Sequence, residues 1–430
     1  MPQFSSNYTQ GPTYDPGSTF GGNVFNYGPG EQYHYYGYET WGYGYTPTLT
    51  LNLPRNKIVI GGNATWGGLW SREYWWGTPN IPMVDGFNDA WDEWDTRILA
   101  SAYVQDEIAV IPDTLFITPG VKFIYAHTSD KDHVGFFYPI TGTVNDDEHY
   151  VSPTVGLSYK PVDGVDIYAA FGQNIKFPDI SAYYGAFQTD INGNNIIAPV
   201  KVAPEYVNDY ELGARFERGG FFASIDLYRE DFTHTFITVA NLTSGIPNGT
   251  TSVSNGGNSV YQGVELQLKE TVQWMDADWS GYFNYAHNQA KFTTSFSDAS
   301  AGAVLAGTPV ANVPQDLISA GLDWSRSGWA ANVDLRYVGR QFTDQNQLGT
   351  SPTPNTIPSY VVVDLGASKT FHVAAMGPSG AVKLGINVDN LFDQRYFNEA
   401  FTDTDNMGNS FLRPVVAAPL SVTGSVTATF

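Results

Sequence analysis

Hydrophobic and polar residues alternate one by one along much of this chain. The last twelve residues, PLSVTGSVTATF, place Leu420, Val422 and Phe430 on one face of an extended strand and only serine and threonine on the other. Because successive side chains of a β-strand point to opposite faces, this segment has one apolar and one polar face. WAANVDLRYV at 329–338 and AVKLGINVDN at 381–390 show the same pattern. The alternation predicts a protein built from two-faced strands.

Segments of this kind recur from about residue 47 to the C-terminus. We count about fifteen of them, most of roughly ten residues or more, whereas strands of soluble proteins average about five or six. No stretch shows a convincing helical period, and no apolar run approaches the roughly 18 residues of a membrane-spanning helix. The pattern predicts an all-β protein with unusually long strands.

The connections between the predicted strands alternate between short and long. Short turns lie at 54–56, 161–164, 217–220 and 326–328, and long polar stretches at about 67–95, 128–148, 176–204, 293–312, 344–357 and 399–415. This alternation is typical of an antiparallel up-and-down meander with tight turns at one end and loops at the other. With strands of this length, it predicts a transmembrane β-barrel whose apolar face contacts lipid and whose polar face lines the lumen.

A soluble β-sandwich or propeller is the alternative, because its strands also alternate. Its apolar face would be a protein core, and Greek-key connections would scramble the rhythm of loop lengths. Strand length and the regular loop rhythm favour the membrane barrel.

Composition narrows the possible partners. The chain carries a net charge of -22, and its charged residues make up only 15% of the total. Nucleic acid and anionic lipid both require a basic surface, so the charge argues against either as a partner. The chain has no cysteine, which removes disulfides and thiolate metal sites. It also has no nucleophile elbow, so we expect neither an enzyme nor a cofactor.

A family resemblance lies in INVDNLFDQRYF, at 386–397. Its pattern resembles the penultimate-strand signature of TonB-dependent outer-membrane receptors, written N-x-x-N-L-F-[DN]-x-x-Y. ASAYVQDEIAV (100–110) resembles a second family strand, and three further segments between 152 and 273 follow in the family's order. The resemblance covers nearly the whole chain from about Tyr43. The positions with an expected structural role are Asn387, Asn390, Leu391, Phe392, Tyr396 and the terminal Phe430.

The resemblance implies a barrel of about 22 strands with a plugged lumen. It also implies a plug domain that carries the TonB-contacting segment. We recognise neither a plug nor a TonB box here, and only about fifteen strands. We therefore expect residues 1–430 to form one incomplete receptor-like barrel domain, with 1–42 as an extracellular loop region. A complete smaller barrel with an even strand count is the alternative.

The resemblance implies an outer-membrane receptor of a Gram-negative bacterium that takes up a scarce nutrient, foremost a ferric siderophore. Outer-membrane lipid and the small ligand would then be its partners, and TonB would engage only through a plug domain absent from this chain. Two other classes stay open: a passive porin-like channel and a soluble secreted carbohydrate-binding protein.

Two aromatic-rich loops are the candidate ligand surface. An exposed aromatic beside a cation suits a planar anionic ligand such as a ferric catecholate, through stacking and cation–π contacts. Alternatively, such loops fold on themselves or belong to an aromatic girdle. The candidates are Trp70, Arg72, Tyr74, Trp75 and Trp76 in WGGLWSREYWWGTP, and Tyr183, Tyr184 and Phe187 in DISAYYGAF.

Two segments resemble metal sites only superficially. HTSDKDH places His127, Asp130, Asp132 and His133 in one predicted loop, where such residues are usually just solvated. DTDNMG, at 403–408, has the first part of a calcium loop but a methionine at a ligand position and no distal glutamate. We therefore predict no metal site.

Overall fold

The computed structural model describes thirteen parts of the chain. They are residues 3–5, 19–20, 23–24, 33–76, 89–133, 141–183, 187–189, 192–197, 202–240, 251–298, 302–343, 356–404 and 410–430.

Fifteen long strands pair with their neighbours in chain order and form one large antiparallel sheet. The first strand has two segments, which pair with successive parts of the second. The strands are β1 (Tyr33–Tyr45 and Thr48–Asn52), β2 (Asn56–Trp76), β3 (Asp89–Ile111), β4 (Leu115–Asp132), β5 (Gly142–Tyr159), β6 (Val165–Lys176), β7 (Glu205–Arg218), β8 (Phe221–Thr233), β9 (Ser259–Trp274), β10 (Ala277–Phe292), β11 (Asp316–Arg326), β12 (Trp329–Val338), β13 (Tyr360–His372), β14 (Ala381–Asp389) and β15 (Ser421–Thr429).

The two faces of the sheet differ as the alternation predicted. On β12 the side chain of Asp334 points into the lumen, where Asn332 Nδ2 donates a hydrogen bond to it at 2.6 Å. The neighbouring Val333 lies on the outer face and is 38% exposed, like many large apolar side chains on the other strands. The outward apolar positions of β5 fall within 151–159, a length that crosses a hydrocarbon layer when the strand is tilted. The predicted transmembrane β-barrel class is confirmed.

The short connections are the predicted tight turns. At 219–220, Gly219 has φ +62°, which favours glycine, and a Cβ on Gly220 would collide with the carbonyl of Thr271. The two helical turns that the structure describes span only Ile180–Ala182 and Ala374–Met376. Within the described residues, no helix has the length and apolarity needed to cross a membrane.

The long loops are shorter than predicted. β2 continues to Trp76, β3 begins at Asp89 and β4 reaches Asp132, so most of 67–95 and the start of 128–148 are strand. Three other predicted loops contain short hairpins of their own, at 187–197, 296–304 and 397–416. The strands continue because their backbone ladders do, while the apolar alternation ends where water replaces lipid on the outer face.

The expected extracellular region 1–42 overlaps the barrel wall. Residues 33–42 belong to β1 and pair with 67–76 of β2, so this part is strand and not loop. The sequence does not reveal this strand, because its tyrosines and glycines do not alternate regularly with polar residues. Every residue of Thr48–Asn52 and of β15, the outermost segments of the strand series, is exposed.

Candidate functional site

Trp70 and Arg72 lie on the outer face of the barrel wall, near the end of β2. Ser71, between them, points to the other face and is buried. The Trp70 indole Nε1 donates to Asp92 Oδ1 at 2.6 Å, and the Arg72 guanidinium stacks 3.9 Å from a Trp70 ring centroid. Trp94 packs against Trp70 with centroids 5.4 Å apart. These side chains therefore contact each other, as in the alternative in which the segment folds on itself.

The other candidates of this segment continue the same strand. The backbones of Tyr74, Trp75 and Trp76 form the end of β2, paired with β1. Their side chains lie outside the described residues. Their position places them further from the short turns than Trp70, at the rim of the wall.

Tyr183 is a buried anchor of the loop after β6. Its side chain is 1% exposed, and its hydroxyl donates to Asp146 Oδ2 at 3.2 Å. Arg97 Nη2 donates to the Pro178 carbonyl at 2.6 Å, which fixes the same loop to β3. Burial raises the pKa of Tyr183, so the phenol stays a hydrogen-bond donor at neutral pH. Tyr184 and the Phe187 side chain lie outside the described residues; the Phe187 backbone begins the hairpin at 187–197.

Asn390 of the family signature organises the junction after β14. It is buried with φ +52°, a left-handed conformation that asparagine tolerates better than most residues. Its Nδ2 donates to the carbonyls of Gln394 at 3.0 Å and Ala418 at 3.1 Å, and its Oδ1 accepts from the Gln394 amide at 2.8 Å. Leu391 N donates to the Val363 carbonyl at 2.8 Å. The junction thus joins β13, β14 and the approach to β15.

The remaining signature residues lie along β14 and in the segment after it, whereas Phe430 lies at the opposite end of β15. Asn387 lies within β14, opposite Thr423 of β15. The Tyr396 ring stacks on Tyr360 with centroids 4.1 Å apart, and Arg336 Nη2 donates to its hydroxyl at 3.3 Å. Phe392 and Phe430 are 73% and 84% exposed. Exposed aromatics at strand ends suit a membrane interface.

A lumen surface rich in carboxylates follows β7, β8 and β9. It is lined mainly by Asp209, Glu211, Asp226, Glu230 and Glu265, with Arg215 as one cation among them. The signal in the sequence is pairs of acidic residues an even number of positions apart, Asp209 and Glu211 on β7 and Asp226 and Glu230 on β8, which places each pair on one face of its strand. The sequence alone does not reveal this surface, because its carboxylates come from three strands that only the pairing brings together. Such a surface attracts cations or basic segments rather than anions.

A second acidic cluster is buried on the lumen face of β3 and β4. Glu93 pairs with Asp132 and Asp95 with Asp130 across the two strands. Glu93 and Asp130 are 0% exposed and Asp95 is 5% exposed. The carboxylate oxygens of these three residues lie within 4.8 Å of one another. The cluster is a group of hard oxygen ligands, the kind that binds Ca²⁺ or Mg²⁺.

Charge repulsion and burial perturb this cluster, which lies beyond the membrane-spanning parts of its strands. Burial, followed by the charges of Asp132 and Asp130, raises the pKa of Glu93. Burial and the adjacent Asp95 carboxyl raise the pKa of Asp130 to about 9. Burial also raises the pKa of Asp95, against the opposing effects of Asp130 and Arg97. In the absence of a cation, the cluster therefore retains protons.

The cluster corrects the interpretation of HTSDKDH as a loop. This segment lies in β4 and just after it, so its residues alternate between the two faces. His127 lies on the outer face with its Nδ1 3.0 Å from Asp147, and His133 Nδ1 is 3.3 Å from Asp92 Oδ2. Asp130 instead joins Glu93 and Asp95. Acidic residues two apart in both DEWD and SDKD were the signal for this grouping.

Comparisons with known proteins agree with the fold. The profile described as TonB dependent receptor-like, beta-barrel matches residues 2–391. The chain is 21% identical over 330 residues to the probable TonB-dependent siderophore receptor PiuA of Acinetobacter baumannii, covering 76% of this chain and 41% of that protein. It is 23% identical over 326 residues to the ferric enterobactin receptor PirA of Pseudomonas aeruginosa, covering 73% and 38%. The copper transporter OprC superposes with a TM-score of 0.67 at 17% identity, covering 93% of this chain and 60% of that chain.

The chain spans about two fifths of the length of these two curated relatives. The likeness to OprC, at its low identity, shows the fold alone. The family profile covers most of the chain, which confirms the resemblance of the strand motifs. The chain therefore belongs to the TonB-dependent receptor β-barrel family, whose members are transport receptors and not enzymes.

Proposed function

We propose that this chain is the barrel of an outer-membrane receptor that takes up a ferric siderophore or a similar scarce nutrient in a Gram-negative bacterium. The match of residues 2–391 to the receptor barrel carries the proposal. One relative named as a probable siderophore receptor and one named as a ferric enterobactin receptor support the ligand class. Outer-membrane lipid then contacts the apolar outer belt.

The geometry supports a ligand path above the membrane rather than along the acidic wall. The carboxylates of β7 to β9 line the lumen from the middle of these strands toward their loop ends, and they would repel an anionic ferric catecholate. In the family plan the lumen holds a plug. The ligand would then meet the rim at the loop end of the barrel, where β2 and the loop after β6 end.

Within that rim, we assign ligand contact to the last candidate residues of two segments, the end of β2 and the loop after β6. Trp70, Arg72 and Tyr183 already use their polar groups in the wall, so they support the rim. Tyr74, Trp75, Trp76, Tyr184 and Phe187 are the proposed ligand contacts. Stacking on aromatic rings suits a planar catecholate.

TonB, in this proposal, acts through a plug domain and not through residues of this chain. The described strands form a hydrogen-bonded wall. A force that pulled on this wall would break many hydrogen bonds of the strand ladder at once. A separate plug can move without that cost.

The test is to target the chain to the outer membrane of a strain that lacks siderophore receptors. We expect a heat-modifiable band in the membrane fraction and quenching of tryptophan fluorescence by a ferric catecholate. Trp75→Ala should weaken the quenching titration at least tenfold, whereas Trp329→Ala, beside a short turn at the opposite end, should leave the apparent affinity unchanged.

Two results would contradict the proposal. A soluble protein that binds sugars supports the secreted carbohydrate-binding class. A membrane barrel that admits small sugars but binds no ferric siderophore supports a porin. Growth of the iron-starved strain on a siderophore with this chain alone would refute the plug-dependent role of TonB, while leaving the ligand assignment intact.

A further inference from the structure

We propose that Glu93, Asp95 and Asp130 form a binding site for a divalent cation, foremost Ca²⁺, on the lumen face of β3 and β4. The site is separate from the proposed siderophore contacts and carries its own ligand chemistry.

The backbone registers build a compact array of carboxylates. Glu93 and Asp95 are two residues apart on β3, so both point to one face. Their direct partners on β4 are Asp132 and Asp130. Opposed residues in an antiparallel pair have Cβ atoms about 5 Å apart. The carboxylate oxygens of Glu93, Asp95 and Asp130 converge to within 4.8 Å, close enough to share one ion.

Burial without donors is the second, independent observation. Glu93 and Asp130 are 0% exposed, and in the described part of the chain no donor from outside the cluster reaches either oxygen of either carboxylate. Both oxygens of Asp95 also lack an outside donor there. Buried carboxylates in proteins are paired, hydrogen-bonded or bound to metal, because an isolated buried charge is very unfavourable. A cation at the centre satisfies all three at once.

The neighbouring groups leave a negative charge to be neutralised. Arg97, on the same face, donates from Nε to Thr128 Oγ1 at 2.9 Å and from Nη2 to the Pro178 carbonyl at 2.6 Å. Its guanidinium is therefore directed to the loop and to β4.

The ligand set selects the class of ion. All three proposed ligands are carboxylates, and the chain has no cysteine to favour a soft metal. Ser71, opposite Glu93 on β2, adds a buried hydroxyl oxygen that has no hydrogen-bond partner in the described structure. Ca²⁺ accepts six to eight oxygen ligands in flexible geometry, whereas Mg²⁺ demands a near-ideal octahedron. Extended strands with several carboxylates fit the more tolerant ion.

The site lies where a cation would stabilise the wall that holds the loop after β6. The carboxylate array occupies the last residue pairs of the β3–β4 ladder before the loop at 133. Arg97, the next residue of β3 on the same face, connects this part of the strand to Pro178. A bound ion would join the two strand ends at this height.

Terbium luminescence tests the site directly, with the full chain folded in detergent. Trp94 lies between two proposed ligands in sequence and can sensitise Tb³⁺ emission. We expect Tb³⁺ binding that Ca²⁺ displaces, with an affinity in the range of roughly 10⁻⁴–10⁻³ M for Ca²⁺ that extracellular modules show. Glu93→Gln and Asp130→Asn should each weaken displacement at least tenfold. Asp334→Asn, which alters a lumen carboxylate outside this cluster and outside the acidic surface of β7 to β9, is the matched control and should leave displacement unchanged.

Thermal unfolding with and without chelator provides a second measurement that does not depend on the probe. In EDTA the two variants should unfold at about the same temperature as the parent chain, because the parent carboxyls then hold protons and are as neutral as the amides. Millimolar Ca²⁺ should raise the midpoint of the parent chain and of Asp334→Asn but not that of the two variants. A parent chain that ignores Ca²⁺ and Mg²⁺ would show a cluster held together by shared protons and overturn the proposal. Tb³⁺ emission that survives in both variants would overturn it as well.

Discussion

The strands on the two sides of the barrel wall differ greatly in length. β2, β3, β4 and β5 have 21, 23, 18 and 18 residues, whereas β12, β14 and β15 have 10, 9 and 9. A tilted strand of about 9–11 residues crosses the hydrocarbon layer. The short strands are therefore almost entirely membrane-spanning, while the long ones rise well above the membrane.

Because of this difference in length, the outer face of the wall requires different side chains in its membrane section and in its upper section. In β12 the outer face is in lipid, so each outward position is apolar and alternation is strict. In the upper part of β3 to β5 the outer face is in water, and the outward Thr96, Ser129 and Asn145 form one polar row across three strands. The lumen face there is free to hold charged groups such as the Glu93 cluster. The extension can therefore carry function that the membrane section cannot.

Arginine placed on the outer face at two heights should produce the largest difference. Leu335→Arg lies in the membrane section of β12 and should destabilise the barrel by about 2–4 kcal/mol, because a cation enters hydrocarbon. Ser129→Arg lies above the apolar belt of β4 and should cost about 0–1 kcal/mol. Denaturant unfolding in lipid vesicles measures both.

Asp334→Asn tests whether the cost of Leu335→Arg arises from the face of the strand or only from the height along it. It lies next to Leu335 but points into the lumen, where Tyr282 donates to it at 2.8 Å. Replacing the carboxylate by an amide keeps an acceptor, so the cost should be well below that of Leu335→Arg. Equal costs for these two neighbours would contradict the assignment of the lipid-facing side.

On the short-strand side, the Asn390 junction should be the next most sensitive position. Asn390→Ala removes three hydrogen bonds and places a less tolerant residue at φ +52°. We expect a loss of about 1–3 kcal/mol, since buried carbonyls lose their donors. Asn390→Gly keeps the backbone conformation and isolates the loss of the side-chain bonds. A variant Asn390→Ala as stable as the parent would show that the signature does not act through this junction.

The comparison also explains which features the sequence could predict. Alternation required by lipid made the strands near Val333 and Val422 recognisable, and turn chemistry placed Gly219 and Gly220. The sequence predicts loops in the upper wall because a strand ladder imposes no hydropathy pattern once both faces are wet. The carboxylate cluster was hidden for a related reason. Assigning Asp130 to a loop hid its register with Asp95, which only strand pairing reveals.

The candidate ligand residues show the same limit. Aromatic content pointed to Trp70 and Tyr183, but a sequence does not tell whether an aromatic faces a ligand or packs on its neighbours. Asp92 and Asp146, which are distant in sequence from their partners, decide this by accepting their hydrogen bonds.

The loop anchor on the long-strand side should tolerate change better than the Asn390 junction. Tyr183→Phe removes one hydrogen bond, to Asp146, and keeps the buried ring, so we expect a cost of about 0.5–1.5 kcal/mol. Limited proteolysis should show faster cleavage near 184–186 with unchanged cleavage at the short turns. If cleavage increases equally at both ends of the barrel, the anchor acts on global stability and not on this loop.

The smallest effect should be the pH dependence of Asp147, on the outer face above the apolar belt of β5. The Tyr125 hydroxyl donates to its Oδ1 at 2.6 Å, and His127 lies 3.0 Å away, and these contacts hold the pKa of Asp147 below its usual value. A carboxyl whose pKa is lower in the folded state stabilises the fold above its unfolded pKa near about 4, and the contribution is lost as pH falls through the folded value. Asp147→Asn should therefore differ slightly from the parent at pH 7 and converge with it in acid. Tyr125→Phe removes the main contact and should reduce the same acid-limb difference. Because Asp147 is well exposed, salt should screen its pairing with His127. A gap between parent and Asp147→Asn that widens as the pH falls would reverse the sign and show that the Tyr125 and His127 contacts do not favour the charged carboxylate.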